Sequence, residues 1–137
     1  MDELTEKTIE IPSDLIAEIL VQCERGKPKE ACGILGGVKN RIMKVFPAEN
    51  MESSPTSYSI KPEFFLQISH QLRSEGMDII GVYHSHPDGL KGMSLRDLML
   101  GWEDFFYFIV SFEEESAIFQ CFQIEEGGPN LVEICIT

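Results

Sequence analysis

Two histidines end an apolar run, and a serine and an aspartate follow them closely. The run "MDIIGVYHSHP" closes with His84 and His86, and "SLRD" then supplies Ser94 and Asp97. Because successive side chains of a strand alternate between its two faces, both imidazoles would project from one face. Pro87 cannot donate to a sheet ladder, so the strand is predicted to end there. Two imidazoles and one carboxylate, with a fourth position open, form the ligand set of a hydrolytic zinc site.

Each of these residues also has an ordinary structural interpretation. The histidines could simply be solvated at a strand end, and "SLRD" is typical of a helix start with Ser94 as N-cap and Asp97 in the first turn. On a helix the same spacing puts Ser94 and Asp97 on one face, so a loop could return both to the histidines. His-x-His-Pro, six residues and Ser-x-x-Asp should occur together by chance in only about one chain in 10^5, which favours a site.

The surrounding pattern predicts the elements that would position this site. A short extended piece precedes a helix with Ser13 as N-cap and Gly26 past its end, and residues 30–50 form a β-hairpin turning at Gly36–Gly37 or a little later. Further along we expect a polar loop leading into a short strand (50–60), a helix (61–76), the histidine-bearing strand (77–86), a short helix (94–102) and strands at 105–112, 116–124 and 130–137. The predicted fold class is α/β (α+β), with a central mixed β-sheet flanked by helices.

Composition limits the other classes of function. The net charge of -12 repels phosphate backbones, so nucleic acid is not an expected partner. No apolar run approaches the roughly 20 residues that span a bilayer, and the acidic start "MDELTEKTIE" does not resemble a secretory leader. We therefore expect one domain over residues 1–137, located in the cytoplasm and with no membrane partner.

The four cysteines show no metal-binding or redox spacing. Cys23, Cys32, Cys121 and Cys135 form no CxxC pair, and most lie among apolar neighbours. We expect inert, buried thiols, although the sequence leaves a disulfide open.

The motif resembles the signature of the JAMM (MPN+) zinc metallopeptidases, of the stand-alone prokaryotic type. The resemblance rests on His84, His86, Pro87, Ser94 and Asp97, together with "EACGILGG", which is similar to the upstream glutamate segment of that family. It implies a cytidine-deaminase-like MPN domain with Zn²⁺ as cofactor.

The resemblance also implies a role for each residue of the site. His84, His86 and Asp97 would bind Zn²⁺, leaving the fourth position to a water. Glu30 would take a proton from that water and deliver it to the leaving amine, whereas without the downstream motif it would be interpreted as a surface glutamate. Ser94 would donate a hydrogen bond to the tetrahedral oxyanion.

The implied substrate is the peptide or isopeptide bond after the Gly-Gly tail of a ubiquitin-like or sulfur-carrier protein. Residues 50–60 are our hypothesis for a sheet edge to which such a tail could add as a strand. Two alternatives stay open: a catalytically silent MPN scaffold, and a hydrolase that releases cysteine from a sulfur-carrier adduct. The sequence does not decide the oligomeric state, for which a homodimer is one option.

Overall fold

The computed structural model of the chain describes residues 7–52, 54–114, 116–126 and 128–137, in which strands and helices alternate. In chain order these are β1 (Thr8–Ile11), α1 (Ser13–Gly26), β2 (Cys32–Val38), β3 (Arg41–Ala48), α2 (Pro62–Ser74), β4 (Asp78–His86), α3 (Leu95–Leu100), β5 (Phe106–Phe112), β6 (Ala117–Glu125) and β7 (Gly128–Ile136). The predicted α/β class is confirmed. Within the described ranges, no helix is both long and apolar enough to cross a membrane.

All seven of these strands join one mixed sheet, in the order β1-β3-β2-β4-β5-β6-β7. At its centre β4 runs antiparallel to β2 and parallel to β5. The sheet closes on itself because β1 pairs in parallel with both β3 and β7. The central mixed sheet was predicted, but its closure into a barrel was not. The consequence for β4 is that His84 is paired on both sides, with Cys32 of β2 and Ile109 of β5, whereas His86 is paired with Ser111 of β5.

The alternation of side chains along β4 and β5 separates two layers of the core. Tyr83, Phe108 and Val110 belong to the cluster that packs against α1. Val82 and Ile109 belong to the opposite cluster, which contacts residues of α2 and α3. Because His84 and His86 follow Val82 at intervals of two, they share its face of the sheet and lie on the side of α3.

The first helix begins one residue earlier than predicted. The carbonyl of Pro12 accepts from the N–H groups of Leu15 and Ile16, at 3.1 and 3.2 Å. Pro12 is therefore the N-cap, without a side-chain capping bond, and Ser13 is the first helical residue. The predicted N-cap role of Ser13 is wrong, because extended backbone at Pro12 already supplies the capping conformation.

The β2–β3 hairpin turns at the later of the two predicted positions. Gly36 and Gly37 form a bulge within the strand, and the turn itself lies at Lys39–Asn40, where Lys39 has φ 56°. A side chain at Gly37 would place its Cβ 1.9 Å from the carbonyl oxygen of Arg41. The glycine pair is thus required by close approach of the two strands and not by the turn.

The short strand expected within residues 50–60 is not formed in the described part of that segment, 50–52 and 54–60. The side chain of Asn50 donates to the carbonyl of Ser57 at 3.1 Å and accepts from the N–H groups of Glu52 and Ser59 at 2.9 and 3.2 Å. These bonds compete with strand pairing, as short polar side chains often do. The prediction of a strand, and with it a free sheet edge, was wrong here.

All four cysteines are free thiols, as expected. Cys23, Cys32 and Cys121 are buried, and burial raises the pKa of each thiol to about 12. Such thiols stay protonated at neutral pH and are poor nucleophiles.

Gly81→Ala should destabilise the fold, because β4 and β5 approach closely at this point. An added Cβ would lie 2.2 Å from the carbonyl oxygen of Phe106 on β5. We expect a loss of about 1–3 kcal/mol in the free energy of unfolding, typical of overpacking, measured by urea denaturation. Gly128→Ala is the matched control, because the nearest atom to its added Cβ is 3.9 Å away. A control loss as large as that of Gly81→Ala would contradict the steric explanation.

Candidate metal centre

Three side-chain atoms converge where β4 ends. His84 and His86 project from the same face, and their Nε2 atoms are 3.2 Å apart. Asp97, in the first turn of α3, places its Oδ2 atom 3.2 Å from both Nε2 atoms. The side chains of His84, His86 and Asp97 are 0%, 1% and 7% exposed. The structure therefore brings the three predicted ligands together in a nearly dry site.

The atoms His84 Nε2, His86 Nε2 and Asp97 Oδ2 form a triangle. The hydrogen bonding of His86 shows that this triangle requires a proton or a cation. Its Nδ1 atom lies 3.0 Å from the carbonyl oxygen of Leu90. A carbonyl can only accept, so Nδ1 carries the proton, and in the neutral ring Nε2 presents a lone pair. The carboxylate oxygen of Asp97 faces that lone pair at 3.2 Å. Two acceptors at this distance repel unless a proton or a cation lies between them.

The dimensions of the triangle fit a tetrahedral zinc ion. Donor atoms about 2.0–2.1 Å from such an ion are separated from one another by about 3.3 Å. The observed separations of 3.2 Å agree with this value. Two imidazole nitrogens and a carboxylate are also donor types that zinc accepts.

The protonation equilibria indicate that the triangle attracts positive charge. Burial raises the pKa of the Asp97 carboxyl, but hydrogen bonds from His84 and His86 outweigh it and hold that pKa well below its ordinary range. Burial also opposes protonation of His86, yet Asp97 and Glu30 outweigh it and raise the His86 pKa. For the fully buried His84, burial prevails and lowers the pKa. The same negative charges would stabilise a bound cation.

Asp97 has both of the roles that its sequence position allowed: it lies in the first turn of a helix and it is part of the triangle. The Ser94 hydroxyl accepts from the N–H of Asp97 at 3.0 Å, and Asp97 Oδ2 accepts from the N–H of Ser94 at 2.9 Å. This reciprocal capping box starts α3 and fixes the Asp97 rotamer. The helix start and the metal triangle are therefore built from the same carboxylate.

Glu30 lies beside the triangle, just before β2. It is 4% exposed, which excludes the ordinary surface glutamate considered from sequence. Its Oε2 atom is 4.0 Å from His86 Nε2, and its Oε1 atom has no hydrogen-bond partner among the described residues. Burial raises the pKa of the Glu30 carboxyl to about 7, partly offset by His86. A carboxyl with this pKa can both accept and donate a proton near neutral pH.

Two ligand sets are geometrically available. One nitrogen or oxygen from each of Glu30, His84 and His86 falls within a 4.8 Å limit. The set with Asp97 in place of Glu30 is tighter, because all three separations are 3.2 Å. We favour the tighter set, since 4.0 Å between Glu30 and His86 exceeds the about 3.3 Å expected for neighbouring tetrahedral ligands.

Several residues that orient the site had no signal in the sequence. Ser85 Oγ accepts from the N–H of Ala31 at 2.8 Å, and the Ser85 N–H donates to the Ala31 carbonyl at 3.0 Å, which joins β4 to the residue after Glu30. The side chain of Asn50 donates to the carbonyl of Glu30 at 2.8 Å. The only feature of the sequence that distinguishes Ser85 is its position between the two histidines.

The ring of Tyr58 stacks on that of His84, with centroids 4.5 Å apart. His84 Nδ1 has no hydrogen-bond partner among the described residues, so this stacking is its main lateral restraint there. Tyr58 lies in the segment that we had linked to the substrate, although in a loop and not in a strand.

A groove of about 650 Å³ leads away from the triangle between α2 and the start of β5. Asp97 and Tyr58 line the end next to the histidines, and Phe65, Trp102 and Phe105 line the far part. The Trp102 side chain is 66% exposed, so it lies at the rim of the groove and not in the core.

The third histidine of the chain and the aspartate after Pro87 lie outside the triangle. His70 is exposed on α2. Asp88 accepts from the N–H of Leu90 at 3.2 Å, so it stabilises the turn after Pro87. Neither contributes an atom to the triangle.

Proteins similar in sequence to this chain include the following three relatives. A probable TtuB-protein conjugate cleaving protease from Thermus thermophilus is 34% identical over 64% of this chain and 60% of its own length. A desampylase from Pyrococcus furiosus is 32% identical over 58% of this chain and 56% of its own length. A CysO-cysteine peptidase from Mycobacterium tuberculosis is 31% identical over 74% of this chain and 71% of its own length. The match thus spans less than two thirds of the first two relatives.

Solved structures share the fold over nearly the whole chain. A protein from Desulfitobacterium hafniense superposes with a TM-score of 0.86 and 28% identity, covering 95% of this chain and 93% of that one. A JAB1/MPN domain protein from Archaeoglobus fulgidus has a TM-score of 0.61 and 21% identity, covering 95% and 97%. The profile for prokaryotic homologs of the JAB domain matches residues 12–123.

Zinc should stabilise the wild-type chain, and Asp97→Asn should remove most of that effect. At a free Zn²⁺ concentration 100-fold above its dissociation constant, the free energy of unfolding should rise by about 2.7 kcal/mol. Loss of a charged ligand should weaken binding at least as much as the roughly 100-fold that loss of an outer partner can cause. Thermal unfolding with and without Zn²⁺ measures both.

Ser94→Ala is the matched control for the shared capping box. It should lower the stability of the metal-free protein by about 1 kcal/mol and leave the zinc increment intact. If Asp97→Asn kept the full increment, Asp97 would not be a ligand.

Proposed function

Since the chain belongs to the family of prokaryotic homologs of the JAB domain, we propose that it is a zinc-dependent isopeptidase that removes a ubiquitin-like or sulfur-carrier protein from its adducts. Family membership confirms the resemblance predicted from the motif. The observation that carries the activity is the 3.2 Å triangle of His84, His86 and Asp97 with the buried Glu30 carboxyl beside it. A binding scaffold would have no need for three such polar groups buried within 3.2 Å of one another.

In this proposal His84, His86 and Asp97 hold Zn²⁺. When bound, Zn²⁺ acts as a Lewis acid that activates a water molecule and polarises the scissile carbonyl. The protein keeps the ligands in place through both strand neighbours of β4, through the capping box on Asp97 and through the ring of Tyr58.

Glu30 moves the proton. Its Oε1 atom has no hydrogen-bond partner in the described part of the chain, so it can accept a proton from the attacking water and then deliver it to the leaving amine. In the metal-free protein burial raises the pKa of this carboxyl to about 7, and a bound cation would favour the charged form that accepts a proton. The bonds from Asn50 and Ser85 to the backbone around Glu30 keep this carboxyl beside the triangle.

Ser94 supports the reaction through its hydroxyl proton. Its oxygen accepts the N–H of Asp97, which orients the hydroxyl and leaves its own hydrogen available. In the proposal this hydrogen bonds the oxygen of the tetrahedral intermediate, where negative charge develops.

The recessed position of the site supports a substrate with a glycine-ended tail. His84, His86 and Glu30 are all buried, so the scissile bond must reach them on a narrow, extended segment. Residues without side chains on the acyl side of that bond meet the least steric hindrance. The first two relatives are named for cleaving conjugates or as a desampylase, which supports a ubiquitin-like carrier with a C-terminal Gly-Gly.

The groove beside Asp97 supports a protein substrate over a small amide. Its volume of about 650 Å³ and its aromatic far end could hold apolar side chains of the carrier that precede the tail. Trp102 and Leu66, 66% and 62% exposed, flank this surface. Exposed apolar side chains next to a reactive centre are typical of a recognition surface.

Release of cysteine from a sulfur-carrier adduct is a second candidate. It is favoured by the CysO-cysteine peptidase, whose match covers more of both chains than those of the other two relatives described. Both reactions cleave an amide at a carrier terminus and differ only in the leaving amine, so the same residues would serve either. Four free cysteines accord with a reducing compartment, and we place the enzyme in the cytoplasm.

Glu30→Gln should keep zinc and lose turnover. Glutamine preserves the shape of the side chain but cannot accept the proton, so we expect a fall in kcat of about 10²–10⁴-fold. Single-turnover cleavage of carrier–lysine conjugates, carrier–cysteine adducts and small amides, with zinc content measured in parallel, tests both the activity and the leaving group.

Glu133→Gln, an exposed glutamate change on β7 away from the site, is the control and should match wild type. If zinc-loaded wild type cleaved no member of the panel, the enzymatic proposal would be lost and a scaffold role would replace it. Cleavage of small amides alone would remove the carrier as substrate.

Trp102→Ala should weaken recognition of the carrier without changing the chemistry at the metal. Loss of one large apolar contact is expected to raise KM about tenfold for carrier substrates and to leave kcat within about twofold. Leu131→Ala is the matched control, because Leu131 is equally exposed, at 68%, but lies on β7 outside the groove. Equal effects of the two substitutions would show that the groove is not used.

A further inference from the structure

The carbonyl oxygen of Leu90 receives two hydrogen bonds from side chains on the neighbouring strands β4 and β5. His86 Nδ1 donates to it at 3.0 Å, and the Ser111 hydroxyl donates to it at 2.6 Å. Because a carbonyl can only accept, both partners must be donors. The Leu90 oxygen therefore uses both of its lone pairs. One accepts from His86, a predicted metal ligand, and the other accepts from Ser111.

Ser111 is built into the sheet next to His86. It lies on β5, is 0% exposed, and is the direct parallel neighbour of His86 in the register of β4 and β5. A hydroxyl buried to this degree is costly unless it forms a hydrogen bond, and the Leu90 carbonyl is the acceptor that it has.

The loop that carries Leu90 is otherwise held by bonds within its own turn and by an exposed ion pair. The N–H of Gly89 donates to the His86 carbonyl at 3.1 Å, the N–H of Leu90 donates to Asp88 at 3.2 Å, and Lys91 pairs with Glu113 at 3.2 Å. Gly89 and Gly92 adopt φ values of 86° and 76°, and the Leu90 side chain is 45% exposed. One further bond from the sheet, from the N–H of Gly92 to Gln120 Oε1 at 2.9 Å, restrains the end of the loop. Without Ser111, the acceptor of His86 would belong to an exposed glycine-rich segment.

From this geometry we propose that Ser111 is a positioning residue, which holds the Leu90 carbonyl so that the carbonyl keeps His86 in the orientation and tautomer that bind the metal. The inference rests on the proposed function for the identity of the metal, but not on the substrate. His84 differs from His86 in this respect. Its Nδ1 atom has no hydrogen-bond partner within the described residues, and its ring stacks on that of Tyr58. Outer hydrogen bonds of this kind set the direction of the imidazole lone pair.

Ser111→Ala tests the proposal through zinc affinity, without any substrate. Competition of the metal-free protein with a chromophoric chelator for Zn²⁺ should show binding about 10–100-fold weaker than wild type. Ser111→Thr, which restores the hydroxyl, should recover most of the affinity. If Ser111→Ala did not fold, Ser111→Cys would keep a weaker donor and should give an intermediate loss.

Gln120→Met is the matched control, because it removes the neighbouring bond to the same loop without touching the acceptor of His86. Its zinc affinity should stay within about threefold of wild type. In nitrogen-labelled, metal-free protein, the His86 Nδ1–H proton should exchange with water faster in Ser111→Ala than in Gln120→Met.

Wild-type affinity in Ser111→Ala, or an equal loss in Gln120→Met, would overturn the proposal. If neither wild type nor the variants bound zinc, both the role of Ser111 and the metal site would be refuted. Zinc binding without cleavage of any substrate would instead refute the isopeptidase function and leave the test of Ser111 valid.

Discussion

Close contact between three buried polar groups, His84, His86 and Asp97, is the constraint on which the rest of this structure depends. Their Nε2 and Oδ2 atoms lie 3.2 Å apart in surroundings from which water is almost excluded, so the buried carboxylate needs a proton or a cation between it and the imidazoles. Such an arrangement is unfavourable by itself, so it requires a positive charge and a framework that prevents the groups from separating. The hydrogen bonds around the site supply that framework, and they reach it from β2, β4, β5 and α3.

Several groups of this framework each have two structural roles. Asp97 caps α3 and completes the triangle with the same oxygen, so the helix cannot form in its observed position without presenting the carboxylate. Ser85 projects away from the triangle and joins β4 to Ala31, which fixes the residue next to Glu30. The Leu90 carbonyl links His86 to β5. Each bond uses a group that would otherwise be buried without a partner.

Closure of the sheet explains why the triangle and the groove lie on the same face of β4. With β1 paired to both β3 and β7, the interior of the sheet is filled by the cluster around α1 and is not available to a ligand. The opposite face of β4, covered only in part by α2 and α3, is where the triangle and the groove lie. The groove is bordered there by Tyr58 and by Asp97 at the start of α3.

The sequence by itself determined the parts of this protein that follow from local rules. Alternation along β4 placed His84 and His86 on one face, and the spacing of Ser94 and Asp97 predicted a helix start, because both depend only on neighbours within a few residues. The family resemblance placed Glu30 at the site, but only tertiary structure decided its burial and its 4.0 Å distance from His86, the bond from Ser111 to the Leu90 carbonyl, and the closure of the sheet. These features depend on strand register between segments far apart in the chain, which local propensity does not encode. The failed prediction at residues 50–60 has the same origin, since the side-chain bonds of Asn50 to both Glu30 and its own loop replaced the strand pairing that the local pattern favoured.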